Sequence, residues 1–141
     1  MVKVGLDTWF FYQVKKENPK ALKVLEKIKN GTHVAIVSSI ALFEIFLQFL
    51  KQGESRSIKE FKDICEEFEN FEVISPSIDI SDSAARYRHS LACPDADALI
   101  LATCIKENCD VVISECRHFK KAKEQNIIDV VGLEKFLEKY N

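Results

Sequence analysis

Short apolar runs rich in β-branched residues alternate along the chain with helical stretches, and this alternation restricts the fold more than any other feature. Val2 to Leu6 and His33 to Val37 read as buried strands, and Phe71 to Ile74, Val111 to Ile113 and Ile127 to Val131 as further short strands. Between them lie helices. Thr8 can cap one over Trp9 to Val14, and Asn18-Pro19 breaks the chain before a second over Lys20 to Lys29. Ser38 or Ser39 caps a third that runs to Lys51, and the turn Gln52-Gly53-Glu54-Ser55 leads to a fourth from Ser57 to Glu69. Further helices are expected over Ile78 to Leu91, from Pro94 through the almost wholly apolar Ala96 to Ile105, and over Leu133 to Tyr140. Ser114 to Lys123 reads as a polar loop or short helix. Such alternation predicts an α/β fold: a parallel sheet covered by helices on both faces through right-handed crossovers.

The 141 residues, 47% of them hydrophobic, can bury one sizeable core, so residues 1–141 are read as a single domain. No apolar run approaches the roughly 18 residues needed to cross a bilayer, and no leader pattern opens the chain, so a cytoplasmic protein without membrane partners is expected. Five cysteines are an odd number without a C-x-x-C pair, which argues for reduced thiols. Cys104 and Cys109 should pack as small hydrophobes. A net charge of −2 lacks the footprint of bulk attraction to nucleic acid. Acids gathered in one metal pocket produce the same balance without repelling phosphate, because the ion reverses the local field.

Open parallel sheets place their sites at the carboxyl ends of the strands. Asp7 directly follows the first strand, Glu44 lies one to two helical turns after the second, and Glu115 follows Val111 to Ile113 by two residues. Asp97 stands at the start of the apolar helix. Each has a plainer reading: Asp7 as a helix cap, Asp97 as a complement to a helix dipole, Glu44 on a wetted face. Glu44 sits among Ala41, Leu42, Phe43, Ile45, Phe46 and Leu47, which suggests a carboxylate in need of a partner, and a cation would serve. Clustered carboxylates suit Mg²⁺ or Mn²⁺, which could polarise a phosphodiester and activate a water for in-line displacement.

Four segments together resemble the PIN-domain family, metal-dependent ribonucleases that include the VapC-type toxins of toxin–antitoxin pairs. They are Val4-Gly5-Leu6-Asp7-Thr8, Ser38-Ser39 through Glu44, Asp97-Ala98-Leu99-Ile100-Leu101-Ala102-Thr103, and Val112-Ile113-Ser114-Glu115-Cys116-Arg117-His118-Phe119. The resemblance covers nearly the whole chain. It implies a three-layer α/β/α sandwich, a homodimer, an antitoxin protein as partner, and Mg²⁺- or Mn²⁺-dependent endonucleolytic cleavage of RNA. Asp7, Glu44 and Asp97 would be catalytic metal ligands, Glu115 a fourth, and Thr8, Ser114, Arg117 and Arg86 would face the substrate.

Two positions depart from the family pattern. Trp9 stands where a small polar residue is usual, and either narrows the pocket mouth or packs. Aligned on Arg117-His118-Phe119, the family's fourth aspartate falls on Cys116, a soft donor unsuited to Mg²⁺. Glu115 or Asp95 replaces it, or the ligand is absent, and in the last case the chain is a non-catalytic PIN-like module binding RNA or protein. His118 and His33 read as structural, and Lys120, Lys121 and Lys123 as a wetted surface or phosphate contacts.

Overall fold

The computed structural model describes residues 1–140. Five strands form one wholly parallel sheet in the order β3-β2-β1-β4-β5: β1 (Val2–Leu6), β2 (His33–Ser38), β3 (Phe71–Ile74), β4 (Val111–Ile113) and β5 (Val130–Val131). Among the described residues, eight helices accompany it: α1 (Thr8–Lys15), α2 (Pro19–Lys29), α3 (Ser39–Lys51), α4 (Ser55–Glu67), α5 (Ile78–Leu91), α6 (Asp95–Lys106), α7 (Arg117–Glu124) and α8 (Leu133–Lys139).

Side chains alternate across the sheet, and the two faces build two cores. Val4, Leu6, Ala35, Val37, Val111 and Ile113 pack under α1 to α4 and α8, where Phe10, Phe11, Phe49, Phe61 and Phe136 fill the layer. Val112 and Val130 face the other way and meet α5, α6 and α7. The result is the expected three-layer α/β/α sandwich with a central parallel sheet. α6 crosses β1 so closely that a side chain at Gly5 would collide with Cys104 Sγ, so this strand position has no room for a Cβ. Trp9 packs against the first core.

Some boundaries differ from the sequence reading for identifiable reasons. Asp7, not Thr8, caps α1, accepting from the Phe10 amide at 3.0 Å. The segment after β4 is helical from Arg117, and β5 is confined to two residues by the Val112–Val130 and Ile113–Val131 register. Ile127 and Ile128 pack on the second core without joining the ladder. α3 does have an outward side: Phe43, Leu47 and Leu50 are exposed at i, i+4 and i+7 spacing. All five cysteines are free thiols, and Cys104 is buried. No helix among the described residues is long and apolar enough to cross a membrane.

Candidate functional site

Strand order reverses between β1 and β4, and a parallel sheet opens a crevice at that point beyond its carboxyl edge. Asp7 leaves β1 into this crevice at 2% exposure. Burial raises its carboxyl from an ordinary 3.8 to about 7; the Ser114 side chain and the Phe10 amide pull it down, and Asp97 pushes it up. Beside it, Thr8 Oγ1 donates to Glu44 Oε1 at 2.6 Å and so ties α3 to the start of α1. Glu44 is half-buried and has a partner, which removes the orphaned carboxylate suggested by its apolar neighbours.

Asp97 enters from the first turn of α6. Its Oδ2 lies 3.0 Å from His118 Nδ1 and 3.9 Å from Cys116 Sγ, and the Cys116 sulfur lies 3.3 Å from the same nitrogen. Burial raises the Asp97 carboxyl, while His118 and Cys116 offset part of that rise. Asp97, Cys116 and His118 are the one group of three His, Cys, Asp or Glu side chains among the described residues with donor atoms close enough to share an ion. Its mixture of oxygen, nitrogen and sulfur is compatible with a divalent metal but departs from an all-carboxylate set. The Cys-x-His spacing after β4 was the available signal for it in the sequence.

The remaining residues distribute unevenly. Ser114 is buried and braces the turn, accepting from the Cys116 amide at 3.0 Å. Glu115 is exposed, and its carboxylate fills the space a side chain at Gly132 would need, on the β5 side and outside the Asp97 group. Asp95 is exposed and accepts from Arg88 Nε at 2.9 Å. Arg86 is likewise exposed and pairs with Asp82 at 3.0 Å, and Arg117 is exposed at the start of α7. Lys121 and Lys123 donate to the carbonyls of Leu91 and Val130, so these two lysines tie elements together. His33 is buried, its Nε2 3.0 Å from the Tyr140 carbonyl.

This arrangement supplies oxygen donors from β1 and α6 at one crevice, and the family comparison decides its affiliation: the PIN domain matches residues 4–125. The chain belongs to the PIN-domain family. No curated protein matches it in sequence. Among solved structures, this PIN domain is similar to VapBC2 from Rickettsia felis, bound to a DNA fragment from its promoter. The TM-score is 0.71 at 20% identity, over 92% of this chain and 98% of that one. FitAcB from Neisseria gonorrhoeae aligns with a TM-score of 0.70 at 16% identity, covering 93% and 98%. VapC20 of Mycobacterium tuberculosis, described as a sarcin-ricin loop cleaving toxin, aligns at 0.70 and 17% identity over 84% and 94%. At these identities the likeness bears on the fold.

Proposed function

We propose that this PIN domain is a metal-dependent endoribonuclease that hydrolyses RNA phosphodiester bonds and acts as the toxin of a toxin–antitoxin pair. One observation carries the reading: Asp7, at 2% exposure with its carboxyl pushed to about 7, shares a strand-end crevice with Asp97, whose charge it feels. A buried carboxyl that also feels the charge of a second one is eased by a cation when ionised. Oxygen donors of this kind suit Mg²⁺ or Mn²⁺. When bound, such an ion supplies Lewis-acid polarisation of the phosphodiester and an activated water.

The chain's own residues have distinct duties. Asp7 and Asp97 hold the ion, Glu44 completes the pocket from α3, and Thr8 fixes the Glu44 carboxylate. Arg117 and Arg86, both exposed, contact substrate phosphates. Partners are an RNA, a second copy of the chain and an antitoxin protein. The toxin assignment is supported by solved relatives described as VapBC proteins and as a toxin–antitoxin complex from Klebsiella pneumoniae. The exposed Phe43, Leu47 and Leu50 stripe gives an apolar surface for the second copy.

A second reading is favoured by one observation. Cys116 stands at the fourth corner while Glu115 lies on Gly132, so a PIN-like module that binds RNA or protein without cutting is the alternative. Incubation of single-stranded RNA with wild type, Asp7→Asn and Asp97→Asn in Mn²⁺ or Mg²⁺ separates the two. Cutting that needs the ion and both aspartates supports the nuclease; binding without ion-dependent cutting in the wild type supports the module.

A further inference from the structure

Three donors of different hardness meet in one cluster: a carboxylate oxygen from α6, a thiol from the turn after β4 and an imidazole nitrogen from α7. We propose that Asp97, Cys116 and His118 form a binding site for a thiolate-accepting divalent ion of the Zn²⁺ class, which it selects over Mg²⁺.

The pairwise separations are 3.0 Å for oxygen to nitrogen, 3.3 Å for sulfur to nitrogen and 3.9 Å for sulfur to oxygen. Zinc bonds of about 2.0 Å to oxygen and nitrogen and about 2.3 Å to sulfur, arranged tetrahedrally, require edges of roughly 3.3 to 3.6 Å. Each observed edge lies within about 0.4 Å of that range, a movement that side-chain torsions absorb. Asp97 and His118 keep side-chain exposures of 21% and 22%, so an ion can reach them from solvent. Three protein ligands leave a fourth position for water.

Selectivity follows from the donors. Mg²⁺ takes oxygen ligands in near-octahedral order and gains little from sulfur, whereas Zn²⁺, Co²⁺ and their neighbours bond thiolate and imidazole readily. On binding, the Cys116 S–H bond breaks, its proton leaves to solvent, and a metal–sulfur bond forms. Asp97 belongs also to the pocket proposed for RNA hydrolysis, so an ion seated on sulfur and imidazole competes there with Mn²⁺ for Oδ2. The site stands on its own donor set and does not rest on the nuclease reading.

Co²⁺ titration of the purified full chain, without RNA, tests it. A thiolate-to-cobalt charge-transfer band in the near ultraviolet, with the intense visible bands of tetrahedral cobalt, is expected. Zn²⁺ should bleach it and a large excess of Mg²⁺ should not. Cys116→Ser should remove the charge-transfer band, and His118→Gln should weaken Co²⁺ binding by at least about tenfold, with circular dichroism establishing that each variant is folded. Absence of the thiolate band in folded wild type, or its survival in Cys116→Ser, would overturn the proposal. Failure of the nuclease reading leaves this band in place, and failure of the band leaves Asp7-dependent cleavage in place.

Discussion

Replacing Asp7 by Asn removes a carboxyl that burial holds at about 7 instead of 3.8. A raised folded-state value means that the folded protein holds this proton more tightly than the unfolded chain does. Stability therefore falls as pH rises from the unfolded value through the folded one, and the loss is complete above it. At about 1.4 kcal/mol per unit, ionising Asp7 inside the fold costs on the order of 4 kcal/mol. Between about pH 5 and about pH 8 the wild type should lose on the order of 2 to 3 kcal/mol from this residue alone. Asparagine has nothing to ionise and keeps an oxygen for the Phe10 amide. Urea unfolding with chelator present is the assay. Wild type should lose more than about 1 M in midpoint across that pH interval relative to Asp7→Asn, which should be the more stable protein at the alkaline end. Contributions from His33 and the surface groups are common to both proteins and cancel. Equal pH slopes for the two proteins would refute the reasoning, because the cost of burying Asp7 would then be absent.

Three further outcomes are expected. Gly5→Ala should destabilise by about 1 to 3 kcal/mol through collision with Cys104 Sγ, and adding Cys104→Ala should recover part of that loss, as a double-mutant cycle in urea would read. Burial pushes the His33 pKa below its ordinary 6.5, so the fold should weaken as pH falls below 6.5. His33→Ala should flatten that acid-side loss while costing about 1 to 3 kcal/mol at neutral pH through the lost Tyr140 tie, measured by thermal unfolding. Phe43→Ser with Leu50→Ser removes exposed apolar surface from α3 and should shift a dimer to monomer in analytical ultracentrifugation without lowering the melting temperature.

Much of the fold was legible because the first four strands are short, mostly apolar segments rich in β-branched residues, interrupted only by Lys3 and Glu72 at polar positions, and the helices carry an apolar face or their own punctuation. β5 was overextended because Ile127 and Ile128 are apolar for packing, and only the short β4 beside them decides where pairing stops. Asp7, Glu44 and Asp97 could be nominated from strand-end placement and from the family resemblance. The environment of Glu44 could not, because an outward-facing apolar stripe looks in sequence like burial on every side; Phe43 at 63% exposure shows which side is wet. The Asp97 and Cys116 contact joins residues 19 apart, and it depends on how α6 meets the turn after β4. Glu115 follows β4 at the expected distance but turns toward Gly132, a choice made by the absence of a side chain at that glycine. Spacing locates a residue at the sheet edge; it does not choose between the two directions open to its side chain.

The central claim is that Asp7 and Asp97 hold the ion with which this PIN domain cuts RNA. Its most direct test is the single-turnover cleavage rate of a single-stranded RNA against free Mn²⁺ concentration. A rate that rises to a plateau in wild type and falls at least about 100-fold in both Asp7→Asn and Asp97→Asn is predicted. A cleavage rate independent of Mn²⁺, or one that survives both substitutions, would contradict it.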